Sequence, residues 1–395
     1  MSCDCPFLDS FIMHVRRLAY LSARTIRMGK KSKAPKLPET CLEVPSVASL
    51  AGVDVTPIYD THTHLHSTFE AYRKEYPEGR YSTIPEFVKG YYGRIAGNED
   101  LPAIHVPVKS LVDVWCEAPI LFDAWRQLAD SALTPESRAE KWGDIEYHFV
   151  MGVHPHEAKN YTDEVEAQIL EAMKHERNVG WGEMGLDYHY DNSPREVQRD
   201  VLIRQLGHAI KLKKPLTIHT READDDIWEI LSTRVPKEWK IHIHCFTDSP
   251  VLAKKLLDHF PNLYIGITGV ITYATNENTS AVIRMLATSP PVDPSRSPLR
   301  ILLETDAPYM VPSNLTKHQQ QTFGLKSNAR MPLCHAGMIP WTAEFVAKEA
   351  NQGVVDQVVD QVEGEARVES GERQVWTAAE IMKIARENAR QVYGI

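Results

Sequence analysis

Six cysteines in 395 residues (Cys3, Cys5, Cys41, Cys116, Cys245 and Cys334) are too few for a disulfide scaffold and read as free thiols in a reducing compartment. No run approaches eighteen consecutive apolar residues, which excludes a membrane-spanning helix. Positive charge is also short: 44 basic residues face 53 acidic ones, for a net charge of −9. A polyanion could then be met only locally, through a patch or a metal. No G-x-G-x-x-G turn follows the first strand candidate, so the doubly wound open sheet, the structural alternative for such a chain, lacks its usual mark. What is present, 43% apolar and 25% charged residues, suffices for a large buried core.

The two ends differ from the middle. Residues 1–36 carry eight basic side chains (Arg16, Arg17, Arg24, Arg27, Lys30, Lys31, Lys33, Lys36) against Asp4 and Asp9. The stretch Phe11 to Met28 has the makings of an amphipathic helix. A mitochondrial presequence and a flexible basic tail both fit; the two acids speak against the first. We take residues 1–50 as a flexible basic extension and 51–395 as the folded domain. Between 352 and 374, six acids, two arginines and three glycines read as a solvated surface insertion without a helical pattern. A last helix should follow, with Thr377 as N-cap, Glu380 three residues on, and Ile381, Ile384, Ala385, Ala389 and Val392 on one face.

In between, eight short Val/Ile-rich strand candidates alternate with helical stretches: Pro57–His62, Val108–Cys116, Tyr147–Val153, Asn178–Glu183, Pro215–His219, Lys240–Cys245, Asn262–Thr268 and Leu299–Glu304. Helices are expected at Arg195–Lys213, Asp224–Arg234 and Ser249–His259. Eight such units predict an α/β fold, the (β/α)8 TIM barrel, whose strand C-termini converge on one mouth. Residues 66–105, rich in Tyr, Pro and Gly, exceed the usual unit length and read as a long loop over that mouth.

The strand ends hold Asp60-Thr-His62-Thr-His64, Gly182-Glu183-Met-Gly-Leu-Asp187, Ile218-His219-Thr-Arg221, His242-Ile-His244-Cys-Phe246 and Glu304-Thr-Asp306-Ala-Pro308. Strand alternation turns His62 and His64 to one side. Imidazoles and carboxylates from five strands make a mixed N/O ligand set for Zn2+ or Mn2+, or for Mg2+ if waters and phosphate oxygens complete the shell. The spacings fit one mouth: Glu183 to His219 is 36 residues, His219 to His244 is 25, and His244 to Asp306 is 62, or two barrel units.

These blocks, DTHTHLH, GVHPHEA, GEMGLDY, IHTREADDD, IHCF and LLETDAP, resemble the TatD family of metal-dependent deoxyribonucleases, from Ile58 to Val311, with a weaker match around Glu387-Asn388-Ala389. The N-terminal tail, the 66–105 loop and the 352–374 insertion are additions to that pattern, similar to those of fungal members described as Cut9-interacting. The resemblance implies two divalent ions. His62, His64, Glu183 and Asp306 would surround one, and Glu183 would bridge to a second held by His219 and His244. Asp306 would also take the proton of the attacking water. His154 and Arg221 are candidates for holding the scissile phosphate. Asp60, Asp187 and Glu304 would orient the ligands or their loops, and His66 and His242 are read as structural. Tyr72, Tyr76, Tyr81, Tyr91 and Tyr92 would either stack on unpaired bases or form the loop's own small core.

The expected activity is metal-dependent hydrolysis of DNA phosphodiesters, from a strand end, by metal-activated water. An amidohydrolase acting on a small amide or ester, and a partner-binding scaffold that keeps the barrel, are the alternatives. Single-stranded DNA or a DNA end is the expected partner, with a protein partner open through the added segments and no membrane. Cytoplasm or nucleus is the expected address, the mitochondrion remaining open through the tail.

Overall fold

The computed structural model describes residues 37–92, 106–363 and 375–395, the side chains of 357–363 excepted. The basic tail 1–36, residues 93–105 and residues 364–374 lie outside the described residues. Eight parallel strands form one sheet in chain order: β1 (Ile58–Thr63), β2 (Val108–Trp115), β3 (Glu146–Met151), β4 (Asn178–Asp187), β5 (Leu216–Arg221), β6 (Ile241–Ile243), β7 (Leu263–Ile267) and β8 (Ile301–Leu303). Each overlaps a strand read from the sequence. The first and last strands meet where Thr63 bridges Ala307 and the Asp306 N–H donates to the His62 carbonyl at 2.9 Å. The barrel fold expected from the sequence is the fold observed.

Alternation sorts the strand residues into two cores. Leu111, Phe149, Trp181, Ile218, Ile243 and Ile265 face outward and are covered by helices. Val112, Val114, Val150, Tyr264 and Leu302 form a separate inner cluster with Ala389, Val392 and Tyr393. The covering helices are α1 (Leu65–Glu75), α2 (Ile84–Tyr92), α3 (Phe122–Ser131), α4 (Asp163–Ala172), α5 (Arg195–Lys211), α6 (Asp224–Arg234), α7 (Pro250–His259), α8 (Glu277–Thr288), α9 (Ser313–Thr322), α10 (Ile339–Glu363) and α11 (Ala378–Tyr393). The capping box of Thr377 and Glu380 starts α11 as expected, and its last turn seals the barrel floor. Asn388 fixes it there, donating to the carbonyls of Leu299 and Ile301 at 2.9 and 2.8 Å.

Three segments differ from the expectation. Residues 37–50 are packed on the barrel rather than part of a flexible extension. Leu37, Cys41, Leu42, Val47 and Leu50 are buried, and Gln319, His335 and Trp341 pair with the carbonyls of Cys41, Leu42 and Pro45. The folded unit accordingly begins at Leu37. The 66–105 stretch, as far as it is described, is two helices and not a long loop. Tyr72 and Phe87 pack with their rings tilted and 5.1 Å apart, Tyr91 and Tyr92 are buried beside them, and Tyr76 and Tyr81 are half-buried. Of the two readings of these tyrosines, the small core is the one observed. Finally, 352–363 continues α10 as helix. Gly353 permits it: a Cβ there would lie 2.8 Å from the Arg284 backbone on α8, so the lack of a side chain lets the two helices approach.

Candidate metal centre

Asp60 stitches the two ends of the barrel together beneath the mouth. Its carboxylate accepts the N–H of His62 (3.3 Å), the N–H of Thr305 (3.0 Å) and the Thr305 hydroxyl (2.7 Å). Burial outweighs these bonds and pushes its pKa up to about 8. Asp60 thus holds the backbone on either side of the site. Asp306 follows at φ +51°, a left-handed conformation costly for a residue with a Cβ and found where neighbours over-determine it. Cys245 shares that feature at φ +42°.

Glu183, at the middle of β4, is the hub. Its Oε2 faces one group: His62 Nε2 at 3.4 Å and His64 Nε2 at 3.9 Å, with Asp306 Oδ1 3.4 Å from His64 Nε2 and 3.9 Å from His62 Nε2. Its Oε1 faces a second: His219 Nδ1 at 2.8 Å, His154 Nε2 at 3.4 Å and His244 Nε2 at 3.6 Å. The donor atoms of His62, His64 and Asp306 lie within 4.8 Å of one another, as do those of His62, Glu183 and His244 and those of His154, Glu183 and His219. The structure therefore brings together all six residues expected as ligands. It also places His154, expected at the substrate phosphate, inside the donor cluster. The signal for that was its place in the GVHPH block, at the end of β3 rather than on a strand.

The surroundings set the protonation of the cluster. Burial, with His244 alongside, pulls His62 down to about 4, and burial does the same to His154 against the pull of Glu183. Both are thus neutral, with lone pairs free to bind a cation. Against burial, Asp306 and Glu183 hold His64 up at about 9, and Asp187 and Glu183 do the same for His219. Burial is likewise overcome at Glu183, which His244 and His154 keep well below the carboxylate range.

The residues expected to support the ligands lie beside the cluster. Glu304 lies 3.2 Å from His244 Nδ1, turning Nε2 toward Glu183, and 2.7 Å from His242 Nε2. Gly266 makes room for this pair, since a Cβ there would meet both at 2.5 Å. Asp187 both fixes its loop, accepting the N–H groups of His189 and Tyr190, and approaches His219 Nε2 at 3.4 Å. His242 is structural, bonded to the Tyr393 hydroxyl at 2.8 Å, and His66 lies outside the donor groups, 3.8 Å from Glu70. Arg221 sits at the rim, its guanidinium 5.0 Å over the Tyr190 ring. Sequence reasoning missed His156, 2.8 Å from Asp187, and Cys116, whose thiol lies 3.9 Å from Glu183 Oε2. His156 had a signal in the same GVHPH block; Cys116 had none.

A parallel barrel whose strand ends gather imidazoles around a shared carboxylate defines a class, the barrel hydrolases built for divalent metals. The family model of TatD-related DNases matches residues 59–394, and the chain belongs to that family. It is 35% identical over 269 residues to the 3'-5' RNA nuclease TATDN2 of Homo sapiens, covering 65% of this chain and 29% of that protein. It is also 35% identical over 165 residues to the 3'-5' ssDNA/RNA exonuclease TatD of Erwinia tasmaniensis, covering 42% of this chain and 59% of that one. The matches thus span less than two thirds of either relative's length. A crystal structure of a TatD family hydrolase from Entamoeba histolytica shares the fold, with a TM-score of 0.55 at 15% identity over 86% of this chain and 99% of that one.

Proposed function

We propose that this protein is a divalent-metal-dependent nuclease that hydrolyses phosphodiester bonds of single-stranded DNA or RNA from a 3′ end. The observation that carries the reading is Glu183, one buried carboxylate whose two oxygens face two separate imidazole groups. The donor set fits two cations: His62, His64 and Asp306 on one side, His154, His219 and His244 on the other, with Glu183 between. Its wealth of imidazole favours Zn2+ or Mn2+ over Mg2+. Bound there, such ions would lower the pKa of a water and offset the charge of a phosphodiester.

The chain's own groups supply the rest. Asp306, whose carboxylate lies 3.4 Å from His64, would accept the proton of the attacking water. Glu304 and Asp187 keep His244 and His219 turned inward. Arg221 offers its fork to a phosphate at the rim. The names of the two relatives support the polarity and extend the DNA substrate expected from the sequence to RNA, and that of the Erwinia protein supports a single-stranded DNA substrate.

The test is digestion of 5′-labelled single-stranded DNA and RNA, beside a panel of small amides and esters, with Mg2+, Mn2+ or Zn2+ added. A ladder shortening from the 3′ end, abolished by EDTA, is expected. Hydrolysis of amides with the oligonucleotides left intact would replace this reading with the amidohydrolase one.

A further inference from the structure

Among the described residues most tyrosines are spent in packing, but two are not. Among the described residues, Tyr190 (55% exposed) and Tyr309 (58% exposed) are the most exposed aromatic side chains. Both sit in loops that leave the barrel mouth. Tyr190 follows β4 three residues after Asp187, and Tyr309 follows β8 three residues after Asp306. In an eight-stranded barrel, β4 and β8 stand opposite each other. The donor cluster of Glu183, from β4, and Asp306, after β8, lies between them. A chain drawn across the mouth over that cluster would pass one ring on each side.

Both residues are anchored to the site through their backbone, and the Tyr190 ring by its neighbours as well. The Tyr190 N–H donates to the Asp187 carboxylate at 3.0 Å, the same carboxylate that approaches His219. His156 and His189 meet the Tyr190 ring edge-on at 5.6 and 4.6 Å, and Arg221 covers one face. The Tyr309 N–H donates to the Asp306 carbonyl at 3.0 Å, and the adjoining Pro308 carbonyl is held by the Cys334 N–H at 2.9 Å. An exposed aromatic ring fixed beside a phosphate-binding cation is a platform for an unpaired base. The net charge of −9 adds a reason for platforms: with little long-range attraction to a polyanion, contact with the bases must supply part of the affinity.

We propose that Tyr190 and Tyr309 are base-stacking platforms on opposite sides of the metal centre, which select unpaired nucleotides on both flanks of the scissile phosphate. The proposal rests on the nuclease reading above and deepens it. Bases locked in a duplex cannot reach two rings at once, so the pair would also account for a single-stranded preference. Stacking reads a ring face and not a sugar, so DNA and RNA strands should be affected alike.

The experiment compares cleavage of oligo-dT, oligo-rU and an abasic strand of equal length by the metal-loaded wild type, Tyr190→Ala, Tyr309→Ala and the two Tyr→Phe variants. The wild type should prefer base-bearing strands over the abasic one. Each Ala variant should lose roughly 5- to 100-fold of that preference, mainly in KM, while the Phe variants keep it. Equal losses on abasic and base-bearing strands, or no loss on either, would overturn the proposal. A second arm follows the fluorescence of a 2-aminopurine strand on rapid mixing, where quenching by a stacked tyrosine precedes any cleavage. If the wild type cleaves none of the strands, the nuclease reading fails on its own. The platforms then stand if the quench is present and lost in the Ala variants, and fall if it is absent.

Discussion

The mouth and the floor of the barrel use the same residue types to opposite ends. At the floor, His242 is closed off: its Nδ1 meets the Tyr393 hydroxyl, itself 2.7 Å from Thr217 Oγ1, and its Nε2 meets Glu304. At the mouth, five imidazoles crowd two carboxylates that none of them neutralises fully, and two, His62 and His154, are held uncharged by burial. A single residue separates His242 from His244, yet the first, on β6, is bonded to the Tyr393 hydroxyl and the second, just past the strand end, faces Glu183. The difference lies in what the chain brings: α11 supplies a hydroxyl partner below, whereas the mouth imidazoles gather around the shared Glu183 carboxylate. A buried polar cluster completed by protein is structural, and one left with surplus donors toward a cation is a site.

Removing the hub should break the comparison most sharply. Glu183→Gln keeps the shape but removes the charge shared by both groups, so hydrolysis should fall on the order of 100-fold or more, with loss of bound metal and an unchanged fold. Activity within about threefold of wild type, with metal content measured on the same sample, would show that Glu183 is not the hub.

Acidity should separate mouth from floor next. His64 and His219 lie at about 9, above the ordinary histidine value of 6.5, so in metal-free protein their stabilising charge is complete below about 6.5 and fades as pH rises through about 9. A cation must displace those same protons, so its apparent affinity should climb about tenfold per pH unit for each proton displaced, between pH 6.5 and 9. Calorimetric titrations in buffers of different ionisation enthalpy count the protons directly; a pH-independent affinity would contradict the assignment.

How much of this was open to the sequence follows the same divide. All eight strands were legible because buried parallel strands are written as apolar runs, and the six ligand candidates because they end those runs in short His/Glu/Asp blocks. The 37–50 segment was not, since Leu37, Cys41, Leu42, Val47 and Leu50 follow neither period and bury themselves through long-range partners. Helices α1 and α2 were hidden by a Tyr-, Pro- and Gly-rich composition that signals a loop. The continuation of α10 past 352 was hidden because Gly353 is a helix breaker by propensity and is tolerated only through its approach to Arg284. His154, read from the sequence as a phosphate contact, stands among the donor atoms around Glu183, and a loop residue carries no alternation that could have aimed it there.

Tyr393→Phe tests the floor alone. It strands His242 Nδ1 and the Thr217 hydroxyl and should lower stability by about 1–3 kcal/mol in denaturant titrations, with metal stoichiometry unchanged. Loss of metal instead would mean that floor and mouth are one network. Gly353→Val, away from both, should cost about 1–3 kcal/mol by overpacking α10 against α8. A neutral result there would show that the helix pair separates readily.

The central claim is that one carboxylate holds two cations, and Mn2+ binding tests it most directly. Equilibrium dialysis with electron paramagnetic resonance on the same sample should give two Mn2+ per chain and an exchange-coupled spectrum that vanishes in Glu183→Gln. A single Mn2+ per chain, or two that show only the uncoupled six-line signal, would contradict the account.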